Sequence, residues 1–180
     1  MLPMVPPNLG GILFHHERIC GGHTMRMSCA SCILLIALSL PATARAGEQV
    51  LEFKLVTKPV DVKVTEVANV EGQTVMSGKM FGVAIFKDGR IAVKDFVNSS
   101  DLLKGSGPMF GYSTYTFDDG SSITARYSGA IKDGKAKGEY TILSGTGMYA
   151  NATGTGGFES TKSGFKGAFL YDGRFIVKTP

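Results

Sequence analysis

Three tyrosines, Tyr115, Tyr127 and Tyr140, alternate in parity with their polar neighbours, an arrangement that turns a phenol hydroxyl into an apolar interior. A hydroxyl placed there orients a bound molecule by hydrogen bonding, and Phe117 and Phe169 share that parity and supply apolar wall. These five residues are the candidate binding site; the alternative is an ordinary aromatic core whose hydroxyls reach its rim. The other available chemistry is narrow. His15, His16, His23, Cys20, Cys29 and Cys32 all lie in the first 46 residues, and the chain has no Trp. From Gly47 onward only Asp, Glu, Lys, Tyr, Ser and Thr carry reactive groups. That set excludes Ser-His-Asp or Cys-His nucleophiles, disulfides, attached haem and ordinary zinc or copper sites. No metal and no cofactor are expected.

Two further patterns carry less than they suggest. Four acids stand in Asp-Gly pairs, where a turn accounts for them without a pair of carboxylates converging across a cleft. Gly145-Thr146-Gly147-Met148-Tyr149-Ala150 matches the spacing of a dinucleotide fingerprint. That fingerprint must open a helix, and Asn151-Ala152-Thr153-Gly154-Thr155-Gly156-Gly157 cannot form one. The segment reads instead as a glycine-lined connection between strands.

The first 46 residues have the anatomy of an export signal. An apolar run of about 11 residues, ASCILLIALSL, follows Arg26 and precedes Pro41 and Ala44-Arg45-Ala46. It is well short of the roughly 20 residues that span a bilayer, so cleavage after Ala46 is expected rather than anchoring. The mature chain, 47–180, is then periplasmic or secreted and has no transmembrane anchor. Residues 1–24 contain Pro3, Pro6 and Pro7 and show no period, whereas Met25 and Met27 each give a conventional basic start. Residues 1–46 therefore read as a signal peptide behind an upstream start, with translation truly beginning at Met25 or Met27; a genuine N-terminal extension is the alternative. Removing Arg18, Arg26, Arg45 and Glu17 from 19 basic and 15 acidic residues lowers the net charge from +4 to +2, and no nucleic-acid partner is expected.

The elements that must position the tyrosines are short strands. Asp88-Gly89, Asp119-Gly120, Asp133-Gly134 and Asp172-Gly173 are flanked by runs of Val, Ile, Phe, Tyr or Thr, which predicts four hairpins. The strands fall near 51–56, 60–67, 78–87, 91–97, 112–117, 122–128, 138–143, 157–160, 165–171 and 174–178. Residues 98–109 read as a loop. If Asp118, Asp119 and Gly120 form a three-residue loop, Tyr115 opposes Ile123, and Tyr115, Phe117, Ile123, Ala125 and Tyr127 share the buried face. Thr114, Thr116, Ser122, Thr124 and Arg126 then face out. The same alternation turns Tyr140 and Ile142 inward, leaves Glu139 and Thr141 outside, and sets Phe165, Gly167 and Phe169 on one face. An all-β chain without helices, in an antiparallel meander rich in glycine, predicts a small closed β-barrel.

The stretch from Tyr140 to Phe158, with Gly145, Gly147 and Gly154 as its structural glycines, resembles the strand, Gly-Thr-Gly, aromatic, small, Gly segment of allene oxide cyclases, dirigent proteins and their bacterial relatives. The hairpin from Tyr115 to Gly129 suits the same pattern. The resemblance implies an eight-stranded antiparallel barrel with a central apolar cavity. In allene oxide cyclases such a cavity holds a fatty-acid epoxide cyclised with help from a carboxylate and a water. In dirigent proteins Asp, Arg and Tyr side chains steer radical coupling. Neither catalytic set has matching positions here. Two functional expectations follow: an exported barrel binding a small apolar molecule, with cyclase or isomerase activity as an extension, or a non-catalytic envelope or secreted interaction module that contacts a partner through residues 98–109.

Overall fold

The computed structural model describes residues 47–180; the expected signal segment, 1–46, lies outside the described residues. Eight antiparallel strands pair in chain order: β1 (Gly47–Glu66), β2 (Gln73–Phe86), β3 (Ile91–Leu103), β4 (Gly107–Phe117), β5 (Ser122–Lys132), β6 (Lys135–Thr146), β7 (Thr153–Thr161) and β8 (Phe169–Thr179). β8 returns to pair with β1, so the barrel closes and leaves no free sheet edge. Among the described residues the one helical element is a 3-10 turn, Gly147–Tyr149.

Turn chemistry fixes which side chains enter the barrel. At the β4–β5 hairpin the Phe117 N–H donates to the Ser121 carbonyl (2.9 Å), the Gly120 N–H donates to the Phe117 carbonyl (3.0 Å), and Gly120 takes φ +81°. This is the expected three-residue loop. Tyr115 stands opposite Ile123, and Tyr115, Phe117, Ile123, Ala125 and Tyr127 are all buried. The hairpins at Asp88-Gly89 and Asp133-Gly134 also form between the expected strands.

Three strand assignments need correction. The two strands expected within 51–67 are one, β1, which runs on to Glu66 because the chain passes Pro59 through a register shift between Pro59 and Asp61. Proline lacks one ladder donor, and a bulge absorbs that loss without ending the strand. Asp172-Gly173 is the interior of β8, not a hairpin. Gly173 pairs with Phe53 on one side and Phe158 on the other, and a Cβ there would lie 2.5 Å from the Phe53 ring. Glycine serves here as a seat for an aromatic ring. Phe165 therefore does not share a strand face with Phe169; it precedes β8 and is 71% exposed. Lastly, residues 98–109 are not a loop but the ends of β3 and β4, joined at Lys104-Gly105, both in the left-handed region. Pairing of Asn98, Ser99, Ser100 and Asp101 with β2 overrides their weak strand propensity.

The interior divides along the barrel axis. At one end Phe53, Phe86, Phe117, Tyr149 and Phe175 pack with ring centroids 5.1–5.3 Å apart in successive pairs. Such contacts contribute roughly 0.5–1.5 kcal/mol each beyond burial. The glycines of the 145–157 segment make the plug possible. Gly147 (φ +59°) turns the chain, and a Cβ at Gly145 would strike the Tyr149 carbonyl at 2.2 Å, so Tyr149 folds back over Phe117. The Arg90 guanidinium covers both rings, 5.2 and 5.8 Å from their centroids, and pairs with Asp88 at 2.6 Å.

Candidate functional site

The other end of the barrel is hollow. A cavity of about 280 Å³ is walled by Leu55, Met80, Phe96, Met109, Tyr127, Ile131, Tyr140, Phe158 and Tyr171, with Phe169 also among its lining residues. The volume lies just below the roughly 300–1,000 Å³ usual for small-molecule sites. Among the described residues no carboxylate lines it, and the one cationic side chain there is Lys94.

Lys94 projects inward from the middle of β3 and is 4% exposed. Its Nζ donates a hydrogen bond to the Tyr140 hydroxyl (3.1 Å), and that hydroxyl is 3.0 Å from the Tyr115 hydroxyl. Four rings surround the amine, with centroids at 4.2 Å (Phe96), 5.1 Å (Tyr115), 5.3 Å (Tyr140) and 5.4 Å (Tyr127). Ring faces attract an ammonium, but they replace hydration only in part. Burial therefore lowers the Lys94 pKa from its ordinary 10.5 to about 7. Near neutral pH the amine is poised between charged and neutral forms.

Burial acts on the neighbouring phenols in the opposite direction. Tyr115, Tyr127 and Tyr140 are all pushed above their ordinary value, chiefly by desolvation, so each stays a protonated donor. Tyr127 spends its proton on the wall: its hydroxyl lies 2.8 Å from Asn98 Oδ1 and 3.0 Å from the Val97 carbonyl. The Tyr127 ring lies over Gly111, where a Cβ would fall 2.6 Å from the ring carbon bearing the hydroxyl. The Tyr140 hydroxyl is the one that meets Lys94 at the cavity floor.

The five sequence-derived candidates are thus separated by the structure. Tyr127 and Tyr140 line the cavity, and Phe169 lines it while 47% exposed. Tyr115 is not among the residues lining the cavity; it lies behind the floor, with its ring centroid 5.1 Å from Lys94 Nζ and its hydroxyl against that of Tyr140. Phe117 is in the packed end between Phe86 and Tyr149, away from the cavity. Lys94, Phe96, Phe158 and Tyr171 were not among the candidates. For Lys94 the signal was the loop at Lys87-Asp88-Gly89. A three-residue loop there sets Phe86 opposite Arg90, Ala84 opposite Ala92 and Gly82 opposite Lys94, so an inward Phe86 requires an inward Lys94.

A closed, eight-stranded antiparallel meander with one packed and one hollow end is a dirigent-like β-barrel. Two solved structures share this architecture over most of their length. The pterocarpan synthase dirigent protein GePTS1 matches with TM-score 0.52 and 15% identity, over 82% of this chain and 98% of that one. The pterocarpan synthase dirigent protein PsPTS1 matches with TM-score 0.52 and 15% identity, over 73% and 95%. A protein of unknown function from the DUF3224 family of Shewanella oneidensis MR-1 aligns at 22% identity and TM-score 0.41, over 71% and 98%. No protein-family model matches the sequence, and no curated protein matches it.

Proposed function

We propose that this protein is an exported binding barrel for a small, largely apolar molecule carrying one electron-rich polar group, which it receives at Lys94. One observation carries the reading: an apolar, aromatic-walled cavity holds a single amine with no carboxylate beside it. A buried amine without a counter-ion is costly, and an oxygen acceptor on a ligand relieves that cost. The resemblance of the 140–158 segment to dirigent proteins and allene oxide cyclases extends the proposal to cyclisation or isomerisation within the cavity, with Lys94 and Tyr140 as the pair able to move a proton.

Titration of the protein with aromatic and short aliphatic phenols, acids and aldehydes, followed by calorimetry, tests the binding. Saturable one-to-one binding is expected, and it is lost in Ala136→Phe, which fills the cavity from β6. Binding unchanged by that filling, or absent across the series, overturns the reading. Export rests on the apolar run of residues 30–40 and on Ala44-Arg45-Ala46. Sequencing the N-terminus of the protein made from its own gene should return Gly47 outside the cytoplasm; an intact signal segment in the soluble cytosol overturns export while leaving the cavity reading in place.

A further inference from the structure

We propose that Lys94 is a nucleophile that forms an imine with the carbonyl group of an apolar aldehyde or ketone entering the cavity. The proposal rests on the binding reading above and names its ligand class. Three structural features support it. The amine lies inside a cavity deep enough to enclose the rest of such a molecule, with rings on four sides to receive an unsaturated or aromatic body. No carboxylate stands in the cavity to hold the amine as an ammonium ion. A protonated phenol, Tyr140, lies 3.1 Å from Nζ, and a second, Tyr115, lies 3.0 Å behind it. Desolvation that brings the Lys94 pKa to about 7 leaves a large fraction of neutral amine at physiological pH.

The chemistry balances without an oxidant or reductant. The Nζ lone pair attacks the carbonyl carbon, and the carbonyl π pair moves onto oxygen. A proton passes from nitrogen to that oxygen through the Tyr140 hydroxyl, which gives one and takes one back, to yield a carbinolamine. The C–O bond then breaks as the second nitrogen proton passes along the same path to the leaving oxygen, which departs as water, and the nitrogen electron pair closes the C=N bond. The net change is loss of one water. Tyr115 is a positioning residue: its hydroxyl holds that of Tyr140.

The test uses cinnamaldehyde as the probe, with cinnamyl alcohol and cinnamic acid as matched molecules that cannot form an imine. The full chain is incubated with each at pH 7 in cyanoborohydride and analysed by intact mass and peptide mapping. One adduct per chain is expected, heavier than the protein by the aldehyde less one oxygen atom, at Lys94. It should form about 100-fold faster than at the exposed lysines, which lie outside the cavity. Lys94→Arg keeps a cation but cannot form an imine and should lose the fast adduct. Tyr140→Phe should slow its formation and alter its pH profile. If the alcohol or acid binds in the cavity but the aldehyde leaves no preferential adduct at Lys94, the imine proposal is overturned and the binding reading stands. If none of the three binds, both fall. Equal labelling in Lys94→Arg assigns the adduct to surface lysines and also overturns the proposal.

Discussion

Replacing Lys94 by Met removes the one cation from the cavity wall while keeping a flexible side chain of similar length. The titratable groups around it are the phenols of Tyr115, Tyr127, Tyr140 and Tyr171, all pushed upward by burial and all neutral below pH 9. The pH response of the difference between the two proteins therefore belongs to Lys94. Its amine titrates near 7 when folded and near 10.5 when unfolded, so between those values the unfolded chain binds more protons and stability rises with pH. Taking about 1.4 kcal/mol per pH unit, the charge penalises the folded state by about 5 kcal/mol at pH 6 and about 2 kcal/mol at pH 9. Loss of the hydrogen bond to Tyr140 offsets about 1 kcal/mol in the variant at either pH. Lys94→Met should thus be the more stable protein at pH 6, and its advantage should shrink by about 3 kcal/mol by pH 9. Urea unfolding followed by far-UV circular dichroism at pH 6, 7, 8 and 9 measures it. An advantage that stays constant within about 0.5 kcal/mol across that range would refute the reasoning, because it would mean that Lys94 titrates alike in both states.

Other parts of the barrel give equally direct tests. Gly173→Ala puts a methyl group 2.5 Å from the Phe53 ring, and thermal unfolding should show a loss of about 1–3 kcal/mol; an unchanged melting temperature would mean that β8 and β1 do not sit in this register. Arg90→Ala strips the guanidinium from Phe117 and Tyr149 and should cost about 1–2 kcal/mol by the same measurement; no change in melting temperature would mean that the guanidinium does not cover these rings. The chain from Gly47 onward contains neither Cys nor His, so the melting temperature of the processed protein should not move with reductant or a transition-metal chelator; a drop of several degrees would show that residues 1–46 are retained and contribute.

Most of the barrel is legible where a glycine in a left-handed turn fixes both loop length and facing. The β4–β5 hairpin follows from Asp118-Asp119-Gly120 and carries Tyr115, Phe117 and Tyr127 to the inside. Legibility fails where glycine has another task or where polar residues pair in a long strand. At Gly173 the need is space for Phe53, which the local sequence does not distinguish from a turn. At residues 98–103 the partner strand supplies the order that Asn98, Ser99 and Ser100 do not signal. Lys94 is hidden for a third reason: β3 turns its branched residues Ile91, Val93 and Val97 outward, each at least 38% exposed, and its Ala92, Lys94 and Phe96 inward. Hydrophobicity alone assigns that strand the wrong way round, and only the facing inherited from Phe86 through the hairpin corrects it.

The split of the interior into a plugged end and a hollow end separates the residues that hold the barrel together from those that shape its cavity. The rings that close the first end, Phe53, Phe86, Phe117, Tyr149 and Phe175, carry the packing, and none of them borders the cavity. Met76, Met80, Met109 and Ile131 border the cavity and take no part in that plug, so exchanges among them reshape the space offered to a ligand at little cost to the fold. The shape of the cavity can therefore change through substitutions at one end while the packing that holds the barrel together at the other end stays as it is.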